Sequence, residues 1–210
     1  MPAQRRELRA QGRKTMRRLA DAGLQVFAQR GYHESRVDDI VRVAKTSHGT
    51  FYLYFSNKED LLRTLAIDCA SEVEGLAAEL GPIDSGSGGE LALRDFLARF
   101  VSTYRRYGVV IRAWMEDQVS DRDIDRLGVR AFTKIATALG GRMEEAGLDP
   151  SQTQASAAAL MAMIERSSYA ITSRDLGVDD EAMVDSLAVL VHRGFFGASA
   201  TQSRATGSRQ

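Results

Sequence analysis

From Met16 onward the apolar positions run Met16, Leu19, Ala20, Gly23, Leu24, Phe27. They fall three and four residues apart, which is one face of an α-helix. Gly31 ends that pattern, as a glycine just beyond a last helical turn does. A short second helix follows on Val37, Ile40, Val41 and Ala44. Ser35 with Asp38 has the spacing of a capping box at its start, and Asp39 is the alternative acid. A third helix is expected from Ser47 to Tyr54. A fourth opens at Asn57, a good N-cap residue with Asp60 three positions on, and runs through Leu62, Leu65, Ala66, Cys69, Val73, Leu76 and Leu80. The stretch Gly81–Glu90, rich in Gly, Ser and Pro, is a loop. Helical patterns then cover about 91–106, 109–119, 122–146, 151–174 and 179–196. No segment alternates with a period of two, and the three prolines sit at positions 2, 82 and 150. The fold class is therefore all-α.

Charge adds an asymmetry that the net value of zero conceals. Residues 1–65 carry 13 Lys and Arg against 7 Asp and Glu, and residues 66–210 carry 15 against 21. A basic N-terminal part on an acidic body is the footprint of a nucleic-acid-binding module. A chance distribution of surface charge is the alternative at this point. The apolar share of 44% and charged share of 27% are those of a globular protein. No run of some 18 apolar residues predicts a membrane span, and the Arg-rich first 20 residues lack the apolar stretch of a secretory signal. One cysteine and three histidines offer neither a disulfide nor a metal-ligand cluster. No metal or cofactor is expected, and a cytoplasmic location is, on the nucleoid when bound to DNA.

Helices two and three are short and separated by a turn at Lys45 and Thr46, with helix one long enough to brace them. That is the layout of a helix-turn-helix. Its second helix would present Ser47, His48, Thr50, Leu53 and Tyr54 to a major groove. The stretches FAQRGY (27–32), VDDIVRVA (37–44) and SHGTFYLYFSNKEDLL (47–62) resemble the signature of the tetracycline-repressor (TetR) family of bacterial transcriptional regulators. The resemblance covers residues 14–62. It implies DNA contacts from Ser35, Arg36, Val37, Ser47, His48, Gly49, Thr50, Tyr52, Leu53, Tyr54 and Lys58, the last as a phosphate ligand at a helix N-terminus. Phe51 and Phe55 are expected in the core. Lys45 stands where the family places a turn glycine, which predicts a strained left-handed residue or a different turn.

The resemblance also implies an architecture. A flexible basic arm (1–13) precedes a three-helix DNA-binding domain (14–60). A long fourth helix joins that domain to a helical bundle (61–196) for ligand binding and dimerisation, and a disordered tail (197–210) follows. Phe96, Phe100, Tyr104, Trp114, Met115, Gln118, Phe132, Met161, Ile164 and Tyr169 are candidates to line a pocket for an inducer, or else to fill a dry core. Ala158, Met183, Leu187, Leu190, Val191 and Phe195 are candidates for a homodimer interface, or else for packing within one subunit. The expected function is that of a DNA-binding regulator, by family default a repressor. It would bind a palindromic operator as a homodimer and be released by an apolar or amphiphilic small molecule. A helical carrier of hydrophobic ligands without a DNA role is the alternative. No nucleophile–base pair or phosphate-cradling loop supports an enzyme.

Overall fold

The structure is a computed structural model that describes residues 2–115, 121–174 and 177–197, with the side chains of 2–9 and 115 left aside. Among the described residues all regular structure is helical: α1 (Pro2–Arg30), α2 (Val37–Val43), α3 (His48–Tyr52), α4 (Lys58–Ala78), α5 (Ser87–Met115), α6 (Arg122–Glu145), α7 (Pro150–Ser173) and α8 (Asp180–Val191), with a π-helical turn at His192–Phe196. None of these helices is long and apolar enough to cross a membrane.

Several boundaries differ from those the sequence predicts. Residues 2–13, expected as a flexible arm, continue α1. Proline is tolerated in a first helical turn, and the segment is otherwise Arg, Gln, Glu, Leu and Ala, good helix formers apart from Gly12. The two helices expected over 91–106 and 109–119 form one, α5, kinked at Tyr107 (φ −111°, ψ 17°). The loop after α4 is shorter than predicted, because Asp84 accepts from the amides of Gly86 (2.7 Å) and Gly89 (3.2 Å) and starts α5 early. The expected tail lies outside the described residues beyond Gly197.

The chain divides into two compact units, residues 1–69 with 106–128 and residues 70–105 with 129–210. The first is thus larger than the 14–60 segment. Its core holds Leu19, Phe27, Ile40, Phe51, Phe55, Leu61, Leu62 and Leu65, all at most 2% exposed. Asp121 accepts from the amides of Asp123 (2.9 Å) and Ile124 (3.3 Å) at the start of α6. Its other oxygen takes Arg63 of α4 at 2.7 Å. The Arg63 hydrogen bond, aided by those amides, holds this carboxyl below the usual range.

The second unit packs Leu93, Leu97, Phe100, Ile135, Leu139, Met143, Leu160 and Ile164 at zero exposure. Exposed ion pairs such as Arg94 with Glu181 and Asp185, and Glu74 with Arg130 and Lys134, tie its helices together at the surface. Asp149 caps α7 through Ser151 N (2.8 Å), and Pro150 takes the first helical position. Asp179 caps α8 through Ala182 N (3.1 Å).

Two helix ends use the same left-handed stop with different residues. After α6, Gly147 (φ 96°) lets Leu148 N reach Met143 O and Gly147 N reach Glu144 O, both at 2.9 Å. After α2, Lys45 (φ 49°) does the same, with Thr46 N to Val41 O at 3.0 Å and Lys45 N to Arg42 O at 3.2 Å. A β-carbon in this conformation costs about 1–2 kcal/mol, while glycine adds about 0.5–1 kcal/mol of unfolded-state entropy. Lys45→Gly is therefore expected to stabilise the chain by about 0.5–1 kcal/mol, a rise in melting temperature of about 1–4 °C. A scan showing no rise would argue against strain at Lys45. For Asp121 the sign follows from its depressed carboxyl: its stabilisation is full above the unfolded value of about 3.9 and is lost as pH falls through the folded one. Asp121→Asn should thus be less stable than wild type at pH 7, with the difference shrinking below about pH 4 in urea titrations.

Candidate nucleic-acid interface

The α2–α3 pair is held by short-range features of its own sequence. Ser47, extended (φ −96°, ψ 160°), caps α3 by accepting from Thr50 N at 3.1 Å. Its hydroxyl also lies 3.0 Å from that of Thr50. Phe51 enters the core at zero exposure, and Phe55 follows at 2%. The opposite side of α3 is open: Ser47, His48, Gly49, Tyr52 and Leu53 are exposed, and Thr50 and Tyr54 partly so. Leu53 is 80% exposed and Tyr52 57%. A β-carbon on Gly49 would meet only Ser47 Oγ, at 3.8 Å, so no neighbour in the chain requires glycine there. His48 Nε2 lies 2.5 Å from Asp38 Oδ1 of α2. One on Gly12 would lie 3.4 Å from the Tyr54 hydroxyl, which brings α1 beside the end of this element.

The start of α2 departs from expectation. Its N-cap residue is Arg36, which makes no side-chain cap. Ser35 is buried at 2% exposure, with its hydroxyl donating to Gly31 O at 2.6 Å. Neither a Ser35 capping box nor a Ser35 contact to DNA fits that position, because the hydroxyl is used to close the α1–α2 turn. Asp39, the alternative acid, is nearly buried and paired with Arg30 at 3.3 Å and with Arg42. Arg36 is exposed and Val37 half-buried.

Lys58 also departs from its expected role. At the first turn of α4, its ammonium donates to Tyr32 O (3.0 Å), His33 O (3.0 Å) and Ser35 O (3.1 Å). It lies 4.7 Å from the centre of the Tyr32 ring. An ammonium has three donors, and in the DNA-free chain all three are engaged with the α1–α2 turn. Tyr32 packs edge-on against Phe27 at 5.4 Å. Burial, reinforced by Glu59, pushes its hydroxyl well above the ordinary phenol range. The sequence gives no sign of this clamp, since the acceptors are main-chain carbonyls some 25 residues away. Asn57 and Asp60 behave as predicted at the helix start, with Asp60 N donating to Asn57 Oδ1 at 2.8 Å and Asp60 accepting from Ser56 N at 2.9 Å.

None of the three described cavities is lined by a predicted pocket residue. Phe96, Phe100, Tyr104, Met161 and Ile164 are buried in the second unit, where Phe132 and Tyr169 are half-buried. The Phe96 and Phe100 rings lie tilted with centres 6.3 Å apart, and the Tyr104 hydroxyl donates to the buried Glu165 at 3.0 Å. Trp114 belongs to the first unit, against Gly128. Gln118 and the side chain of Met115 lie outside the described residues. The described cavities are lined by other residues. One of about 460 Å³ has Ser71, Glu72, Arg99 and Thr103 in its wall. Another of about 400 Å³ has Thr172, Arg174 and Asp180. Among the interface candidates, Leu187 and Val191 are buried within the unit, at 7% and 0% exposure, because α8 turns them into its own core. Ala158 is exposed, Leu190 is 65% exposed, and Met183 and Phe195 are half-buried.

A short helix pair, braced by a longer one and open along its second member, defines a helix-turn-helix protein. Residues 19–65 match the family model described as "Bacterial regulatory proteins, tetR family". The chain is 46% identical over 55 residues to the fatty acid metabolism regulator protein of Bacillus subtilis (strain 168). That match covers 26% of this chain and 28% of the relative's length. Among solved structures, the FadR regulator of Bacillus subtilis in complex with stearoyl-CoA has a TM-score of 0.61 at 22% identity, covering 84% of this chain and 97% of that one. The MbdR regulator from Azoarcus sp. CIB has a TM-score of 0.69 at 16% identity, covering 86% and 98%. These likenesses establish the fold across both units.

Lys58→Ala tests the clamp. Losing three bonds from a charged donor at a partly exposed site is expected to cost about 1–3 kcal/mol in thermal unfolding. The slope of log K against log salt for DNA binding should stay near the wild-type value. A slope reduced by about one, with stability unchanged, would instead return Lys58 to the phosphate backbone.

Proposed function

We propose that this chain is a DNA-binding transcriptional regulator, most simply a repressor, that binds a palindromic operator as a homodimer. The observation that carries the reading is the open side of α3. A five-residue helix capped by Ser47 and anchored by Phe51 presents small, polar and aromatic groups with no carboxylate of its own. A 12 Å major groove accepts such a helix, and its polar groups suit base edges and phosphates. Gly49, which nothing in the chain requires, allows a close backbone approach. Arg36 and Val37 flank the helix from α2, and the exposed Arg13, Lys14, Arg17 and Arg18 of α1 add counterion release.

Two-fold symmetry follows from the need to pair recognition helices one DNA turn apart. The exposed Ala158, Met163 (40%) and Leu190 (65%) of α7 and α8 are apolar surface that a second copy would cover. The inducer we assign to the second unit is an apolar or amphiphilic molecule, the class to which stearoyl-CoA in the FadR neighbour belongs. Phe100, Tyr104 and Ile164 are buried in that unit, so a ligand reaching them would bind a state in which they are opened. It would release DNA by its preference for that state.

The test is a mobility shift and footprint on the DNA upstream of the gene. A two-fold site with half-sites about one turn apart is expected. Thr50→Glu should abolish binding while the melting curve and dimer mass stay as in wild type. An asymmetric single half-site, or normal binding by Thr50→Glu, would overturn the placement of α3. For the ligand, acyl-CoA thioesters of graded length are titrated into the DNA complex. A coupling of about 1–3 kcal/mol lowers affinity about 5- to 150-fold, and a panel that neither stabilises the protein nor releases DNA rejects that chemistry.

A further inference from the structure

We infer that Asp38 and His48 form a base-reading pair, in which Asp38 fixes the proton of His48 so that the ring accepts a hydrogen bond from an amino-bearing base. The inference rests on the DNA-binding reading above and deepens it. Asp38 Oδ1 lies 2.5 Å from His48 Nε2 across the α2–α3 turn, and both side chains are more than half exposed. An ionised carboxylate only accepts, so Nε2 carries the hydrogen. In the neutral ring Nδ1 is then a lone-pair acceptor, and among the described residues no second hydrogen bond to this ring is recorded.

The rest of the open side supports the choice of His48 as the reader. Ser47 and Thr50 are engaged with each other and with the α3 backbone. Gly49 has no side chain, and Leu53 has no polar group. His48 is thus the one group of the first α3 turn whose polar atom is held by a partner from another helix. Position is what sequence readout requires, because a contact misplaced by an ångström reads nothing. Asp38 is a carboxylate on a surface that meets phosphates, where an unpaired one repels DNA. What it supplies in return is the ring's orientation and tautomer. In the major groove an acceptor selects cytosine N4 or adenine N6, and is refused by guanine O6 and N7 and by thymine O4.

The experiment selects duplexes from a randomised pool with the full chain at pH 8. Wild type, Asp38→Asn, Asp38→Glu and His48→Ala are compared by sequencing, with melting curves as a control for folding. Wild type should enrich cytosine or adenine at one position in each half-site. Asp38→Asn, whose amide no longer fixes the ring proton, should lower that preference about 5-fold or more at that position and leave the others intact. His48→Ala should remove the same preference, and Asp38→Glu, which keeps an acceptor, should retain most of it. An unchanged Asp38→Asn profile, a guanine or thymine preference lost with His48, or an even loss at all positions each overturns the pair. If wild type enriches no sequence at all, the DNA-binding reading itself falls, which differs from enrichment indifferent to Asp38.

Discussion

The first unit is built around a helix that is too short to exist alone. An isolated helix needs some 12–15 residues to be marginally stable in water, because its first turn fixes several residues for one hydrogen bond. The five residues His48–Tyr52 therefore take their shape from elsewhere. Phe51 contributes the largest share: a fully buried phenylalanine is worth about 1.5–3 kcal/mol, comparable to the deficit of so short a helix. Ser47 satisfies Thr50 N at one end. At the other, Tyr54 N and Phe55 N reach back to Phe51 O. Everything exposed on α3 is thus positioned by the Phe27, Ile40, Phe51 and Phe55 core beneath it.

The same logic explains Lys58. The α1–α2 turn leaves carbonyls at Tyr32, His33 and Ser35 with no helical partner, and buried or half-buried carbonyls have to be satisfied. The clamp ties the start of α4 to the turn that sets the start of α2. α4 belongs to the first unit up to Cys69 and to the second from Ala70.

Much of this was legible in the sequence, and the limits are physical. Periodicity located the helices because burial imposes it: Leu19, Phe27, Ile40, Leu62, Leu65 and Val73 all proved buried. The left-handed Lys45 was visible because a turn of that type demands glycine or tolerates strain. What composition does not encode is the partner of a polar group distant in the chain. Ser35 and Lys58 looked exposed by residue type and by resemblance, yet both serve backbone carbonyls. The second unit shows the same limit for apolar groups. Aromatic side chains on amphipathic helices fill a core or line a pocket with the same spacing, and only packing distinguishes the two. Here Phe96, Phe100 and Tyr104 pack, and the buried Glu165, which no motif marked, takes the Tyr104 hydroxyl.

A surface that approaches DNA has to account for its negative charges, and α2 begins with two. Asp39 is turned inward to Arg30 and Arg42, where it braces the end of α1 against α2. Asp38 is turned outward to His48. Neither carboxylate of α2 is thus left without a basic or imidazole partner. The exposed apolar groups follow the same reasoning. Leu53 is 80% and Tyr52 57% exposed, so both side chains are free to be covered by a partner. A groove wall with sugar edges and thymine methyl groups covers such side chains, and the phenol of Tyr52 can reach a phosphate oxygen. The partnered carboxylates and the uncovered apolar groups suit the DNA partner proposed above. On the proposed reading, that partner would be a polyanion with apolar edges, met at the first turn of α3.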